Sequence, residues 1–198
     1  MIQLNNICKT MGGETLIKDS SLAVEAGETV CLCGPSGIGK TTLLEIAAGL
    51  TAPDSGSVGH GSPRLGCAFQ DDVLVPWLSA LENLLLVQPS GTENAEAISR
   101  RWLKTFGLAP EMKPTRMSGG MRRRLSLARA FAVNPAILLL DEPFAFLDDH
   151  WQETVADKIE KHRAAGNAVL LVSHQMRCLA TLQCRVITIP EGPIRLDA

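Results

Sequence analysis

The sequence predicts an α/β fold: a parallel sheet covered by helices on both faces, with a helical lobe inserted at residues 76–134. Three observations carry this prediction. Strand-like and helical segments alternate at both ends of the chain, which is the pattern of an α/β core. Ala136–Leu140 and Ala168–Val172 are continuous apolar runs, as expected for parallel strands buried on both faces. From Ala80 to Asn134 the signal is helical only.

In chain order, Ile2–Ile7, Ser20–Val24 and Glu28–Cys33 read as strands, and the last runs into a Gly-rich turn. Lys40–Ala48 reads as a helix closed by Gly49, a residue type common just past a helix end. Leu65–Phe69 is a short strand. Ala80–Val87 and Ala95–Phe106 are helices separated by the breaker segment Pro89–Gly91. Ser118 can cap a third helix, on which Met121, Leu125, Ala128 and Ala132 share one face. The alternation then resumes with strand Ala136–Leu140, helix His150–Ala165, strand Ala168–Val172 and strand Arg185–Ile189.

Composition bounds the function. The 198 residues carry 19 Lys+Arg against 21 Asp+Glu, a net charge of −2, which excludes nucleic-acid binding by overall positive charge. No apolar run approaches the ~18 residues of a membrane span, and the start MIQLNNICKT lacks a secretion-signal pattern. A soluble, intracellular chain is expected. The six cysteines (Cys8, Cys31, Cys33, Cys67, Cys178, Cys184) form no CxxC pair and no zinc-like spacing, so they read as small hydrophobes in a reducing compartment. Cys31 and Cys33, two apart in a strand, should face the same way.

The decisive string is Gly34-Pro35-Ser36-Gly37-Ile38-Gly39-Lys40-Thr41-Thr42, which matches GxxxxGK[ST] and lies between a strand and a helix. Glycines let successive N–H groups turn inward around phosphate oxygens, and the helix N-terminus adds its positive dipole end. Lys40 is placed to reach the β and γ phosphates, and the Thr41 hydroxyl to ligate Mg²⁺. The strand Ile137–Leu140 ends in Asp141-Glu142, where parallel sheets present ligands. Asp141 can hold Mg²⁺, and Glu142 can orient or deprotonate an attacking water. His174 follows the strand Ala168–Val172 in the same way and can hydrogen-bond a γ-phosphate or fix Glu142.

Met117-Ser118-Gly119-Gly120-Met121, followed by Arg122–Arg124 and Ala128-Arg129-Ala130, resembles the LSGGQ signature of ATP-binding-cassette (ABC) proteins. The order of motifs is similar as well: phosphate loop, Gln70, signature, the acid pair, Leu147-Asp148 and His174. The resemblance covers essentially the whole chain. It implies a P-loop NTPase (RecA-like) core with an N-terminal β subdomain and an inserted α-helical signature subdomain. Residues 1–75 and 135–198 would form the α/β core and 76–134 the helical part. It further implies a homodimer in which Ser118, Gly119 and Gly120 meet the γ-phosphate of the partner's nucleotide and Asp148 crosses to the partner. Gln70 would contact Mg²⁺ or the water, His174 would hold the γ-phosphate, and Glu142 would be the catalytic base. ATP and Mg²⁺ are the implied cofactors. The sequence departs from the family pattern at Met11, where an aromatic commonly stacks on adenine, at Phe146, and at Gln175 after the histidine. The Arg122–Arg124 cluster extends the signature helix, so no nucleic-acid partner is expected.

The loop Gln70-Asp71-Asp72-Val73-Leu74-Val75-Pro76-Trp77-Leu78 looks like that of cassettes serving nitrate, sulfonate and taurine importers, where Pro-Trp follows the glutamine. The resemblance thus implies an importer ATPase at the inner face of the cell membrane, with permease subunits and a periplasmic solute-binding protein. An exporter or lipid-transport cassette is the alternative within transport. A soluble ABC ATPase of translation or repair is disfavoured, because the chain has one cassette and no heptads.

Overall fold

A computed structural model of the chain describes residues 1–62, 64–174 and 180–197. Gln175 and Cys178 lie outside the described residues. The N-terminal part is a three-stranded antiparallel sheet of β1 (Ile2–Met11), β2 (Glu14–Val24) and β4 (Ser55–His60), in the order β2-β1-β4. Ile2, Leu4 and Ile7 of β1 turn inward with Leu22 and Val24 of β2. The register runs from Ile2↔Val24 to Met11↔Glu14, so the two strands extend to a tight turn at Gly12-Gly13, beyond the ends the sequence predicts. Both glycines there have positive φ, 60° and 86°.

The second sheet is parallel, in the order β5-β6-β7-β3-β8, built from β3 (Thr29–Cys33), β5 (Leu65–Ala68), β6 (Ile137–Asp141), β7 (Ala168–Val172) and β8 (Arg185–Thr188). Strands β3, β6 and β7 are buried at every position. Val30, Leu32, Leu139 and Leu170 pack on one face against Leu43, Leu44 and Ile46 of α1 (Lys40–Ala47). Cys31, Leu138, Leu140 and Leu171 pack on the other against α5 (Asp149–Ala164) through Val155 and Ile159. Apolar side chains on both faces explain why these strands read as unbroken apolar runs. Cys31 and Cys33 do share a face, with their sulfurs 3.5 Å apart. Burial pushes the Cys31 thiol far up and the Cys67 thiol up to about 11, so both are inert neutral thiols at physiological pH.

Between β5 and β6 the chain forms α2 (Ala80–Leu85), α3 (Ala95–Thr105), a 3₁₀ turn at Pro114–Arg116 and α4 (Gly119–Ala132). A capping box of Ser79 and Glu82 starts α2. The buried Asn83 amide donates to the carbonyls of Val75, Leu78 and Ser79 and pins the loop ahead of it. The predicted face of α4 is turned inward: Leu125, Ala128 and Ala132 are buried, and Met121 packs against the same cluster. Among the described residues, no helix is long and apolar enough to cross a membrane.

Candidate functional site: a phosphate cleft at the strand ends

Strand β3 delivers the chain to Gly34, where close approach is obligatory: a Cβ there would overlap the carbonyl oxygen of Ile189 at the end of β8. The loop then turns through Gly37 and Gly39, at φ 80° and 105°, into α1. Gly39 is the N-cap and contributes no side chain, and the first turn of α1 has no acidic residue. The first N–H groups of the helix therefore face the cleft without a built-in anion. The Lys40 ammonium donates to the carbonyls of Gly34 and Pro35, at 2.8 and 2.6 Å. These bonds hold the lysine folded along its own loop.

The acid pair meets this loop across the sheet. Thr41 Oγ1 donates to Asp141 Oδ2 at 2.6 Å. Burial is the largest influence on the Asp141 carboxyl and pushes it upward, the Thr41 hydroxyl pulls it down, and the Glu142 charge raises it further. A hydroxyl and a buried carboxylate in contact, with the Gln70 amide lining the same cleft, form a hard oxygen donor set that fits Mg²⁺. Glu142 leaves β6 with its N–H donating to Val172 O at 2.9 Å and its φ at 48°. Its Oε1 meets His174 Nδ1 at 2.9 Å, while its Oε2 is buried with no hydrogen-bond partner among the described residues. A buried acceptor without a donor calls for a water or hydroxyl at that point.

Ser36, Gly37, Gly39, Lys40, Thr41, Thr42, Gln70, Asp141, Glu142 and His174 line one cleft of about 260 Å³, together with Leu16 and Val172. A neighbouring cleft of about 590 Å³ shares Leu16, Ser36 and Gly37 and adds Pro35, Ile38, Glu14, Thr15 and the segment 190–193. Met11 is 49% exposed near the tip of the β1–β2 hairpin and lines neither cleft. Leu16, which lines both, was not legible as a site residue, because an apolar residue in a strand carries no chemical signal.

The signature residues lie apart from these clefts. Ser118 Oγ caps α4 by accepting from Met121 N at 3.2 Å, and Asp148 Oδ1 caps α5 by accepting from Trp151 N at 3.0 Å. Gly119 has open space around it, whereas a Cβ on Gly120 would sit 2.7 Å from Phe146 O. The start of α4 thus lies close to the chain that leads into α5, and neither cap lines the two clefts described above. The arginines after the signature do not form a solvated basic patch. Arg122 donates to Met117 O at 2.9 Å, Arg124 bonds Phe106 O and lies 4.0 Å over the Trp151 ring, and Arg123 is buried.

The glutamine loop shows a different surface. Val73, Leu74 and Pro76 line an open cleft with Gln70, Asp72, Arg122 and Phe146. Trp77 is outside that cleft and 72% exposed, so it does not anchor the helical lobe to its own core.

A glycine-rich phosphate loop between β3 and α1, facing an acid pair at the end of β6, defines a P-loop nucleotide hydrolase. The chain belongs to the ABC transporter family, whose model matches residues 17–145, and is an ATPase of that family. It is 34% identical to the taurine import ATP-binding protein TauB of Escherichia coli (strain K12), over 99% of this chain and 82% of the relative. It is 37% identical to the aliphatic sulfonates import ATP-binding protein SsuB 2 of Burkholderia lata, over 100% of this chain and 76% of the relative. The fold matches the dimeric structure of MJ0796, a bacterial ABC transporter cassette, with a TM-score of 0.88 at 30% identity, covering 100% of this chain and 97% of that one. A post-hydrolysis dimer of the same cassette bound to ADP and Pi matches with a TM-score of 0.87 at 29% identity.

Proposed function

We propose that this chain is the ATP-hydrolysing subunit of a membrane importer for a small anionic, sulfonate-like solute. The taurine and sulfonate import functions named for its relatives support the solute class. The observation that carries the hydrolytic role is the pair of Glu142 oxygens, one held by His174 and the other buried without a donor among the described residues. In this reading Gly34–Thr42 wraps the phosphates, with Pro35, Ser36 and Ile38 supplying backbone and Lys40 the charge. Thr41, Asp141 and Gln70 would hold Mg²⁺, which when bound neutralises phosphate charge. Glu142 takes a proton from the attacking water, whose oxygen bonds to the γ-phosphorus as the bond to the bridging oxygen of ADP breaks. His174 holds Glu142 in place and contacts the γ-phosphate.

Ser118, Gly119, Gly120 and Asp148 act on the nucleotide of a second copy of the chain, which accounts for their distance from their own phosphate loop. Met11 and Leu16 are the two candidates for the adenine contact: Leu16 lines both clefts and Met11 neither, so a Met11→Tyr cassette that binds ATP no more tightly would assign the base to Leu16. The cassette dimer works at the inner face of the cell membrane, on permease subunits fed by a periplasmic solute-binding protein. Residues 1–75 and 135–198 act as the α/β core and 76–134 as the helical subdomain of one cassette.

Two measurements test this reading. Lys40→Ala should abolish most ATP binding in calorimetry, because backbone donors cannot replace the lost charge; wild-type affinity would remove the phosphate assignment. With its permease in liposomes, ATP hydrolysis should accelerate when a sulfonate-loaded binding protein is added. Acceleration by a different solute alone would overturn the solute class.

A further inference from the structure

Arg123 is 1% exposed, on α4 one turn past the signature. Its Nη1 donates to Phe69 O at 2.6 Å and lies 3.5 Å from Asp72 Oδ1. Its Nη2 donates to Asp141 O, and its Nε has no partner among the described residues. A guanidinium is costly to bury, and an apolar side chain would fill the same space without that cost. What the arginine adds is two fixed donors in one plane.

Each donor grips a particular peptide. The Phe69 carbonyl belongs to the peptide unit that enters Gln70, and the Asp141 carbonyl belongs to the one that enters Glu142. Glu142 is also the residue whose backbone is held at φ 48°. A second arginine of the same helix continues the grip: Arg129 donates to Val73 O at 2.9 Å and to Asp72 O at 3.1 Å. Between them the two side chains take three main-chain carbonyls of the glutamine loop and one at the end of β6.

We infer that Arg123 is a positioning residue for hydrolysis: it fixes the peptide planes that aim Gln70 and Glu142 and ties both to the helix that begins at the signature. A displacement of α4 then moves the glutamine loop and the acid pair together. The inference rests on the catalytic reading of Gln70 and Glu142 given above.

The test uses the full chain with Mg²⁺ and ATP, recording kcat, KM and thermal melting. Arg123→Lys retains the charge but only one bond direction, and Arg123→Met removes both donors. We expect kcat to fall about tenfold in the lysine variant and further in the methionine variant, with KM for ATP within about threefold of wild type. In a Gln70→Ala background, Arg123→Lys should lower kcat by less than it does alone, since one of its two targets is already gone. Unchanged kcat, a fully additive loss, or kcat and affinity falling together with melting temperature would each assign Arg123 a purely structural role. If neither Arg123 variant folds, Asp72→Asn weakens the pair from its less buried side, with an expected fall in kcat of about two- to fivefold at constant KM. A normal kcat there overturns the inference. Gln70→Ala and Glu142→Gln cassettes that hydrolyse normally would instead overturn the catalytic reading.

Discussion

Glu142 turns out of β6 in a left-handed conformation because its N–H is held by Val172 O on the neighbouring strand and its side chain by His174 on the exit from that strand. The geometry leaves one buried oxygen without a donor among the described residues. Glu142→Gln preserves the volume and the contact with His174 but cannot take a proton. It should therefore keep ATP affinity in calorimetry while slowing steady-state hydrolysis by about 10²-fold or more, and it should hold an ATP-dependent dimer on gel filtration. Hydrolysis at the normal rate would move the base elsewhere. At this scale the sequence was most readable where chemistry needs a charged, hydroxyl or glycine residue at fixed spacing, as in Gly39, Lys40, Thr41, Asp141 and Glu142. It was least readable at Arg123, whose neighbours in an Arg-Arg-Arg run give no sign that the middle one points inward. Only the third dimension separates it from Arg122 and Arg124.

Close approach between elements has its own signature in glycine. On β5, a Cβ at Gly66 would overlap Ala130 O of α4 and lie 2.8 Å from Pro135 Cγ. Gly66→Ala should therefore push α4 off the sheet and destabilise the fold by about 1–3 kcal/mol, seen as a lower melting temperature. Nucleotide affinity should survive, because the phosphate loop lies on β3 and α1. A variant that melts like the wild type would show that α4 yields without cost. Seven of the eight strands were legible in advance, most sharply β3, β6 and β7, whose burial on both faces leaves continuous apolar runs; β1 and β2 run further toward their turn than predicted. Strand β4 was missed. Its sequence, Ser55-Gly56-Ser57-Val58-Gly59-His60, has little strand propensity, and it forms by pairing along β1 from Ile2↔His60 to Cys8↔Ser55. Helix boundaries were off by one or two residues for a related reason: caps such as Asp148 and the last turn of α2 are decided by hydrogen bonds that periodicity does not encode.

Two features act at the scale of the whole molecule, one joining its parts and the other displaying apolar side chains to a partner. His162 of α5 meets Phe131 of α4 edge-on, with centroids 5.9 Å apart, and so joins the helical lobe to the core. Burial pushes its pKa down to about 4 from an ordinary value of 6.5. Between those values the unfolded chain binds a proton that the folded chain refuses. Stability is therefore intact above pH 6.5 and declines as pH falls toward 4, by about tenfold in the folding equilibrium per pH unit within the window. His162→Phe keeps the ring contact without the titration and should melt with less pH dependence between pH 7 and 5; an equal acid-side loss in the variant would place the proton elsewhere. The outward coupling is expected at the glutamine loop. Val73 is 71% exposed and Trp77 72% exposed, a high price in unburied apolar surface for an isolated domain. The loop carrying them is rigid rather than loose, since Arg129 holds Val73 O and Asp72 O, and Asn83 holds both the N–H and the carbonyl of Val75. A stiff loop that displays large apolar side chains beside Gln70 is suited to grip a helix of a permease subunit and to transmit the state of the nucleotide to it. Trp77→Ala should leave ATP affinity and melting of the isolated cassette unchanged, because the indole packs into no core, while weakening co-purification with the permease and lowering solute-stimulated hydrolysis. Full assembly and normal stimulation in the variant would show that the permease is held by other residues of this face, and the indole would then have no part in coupling.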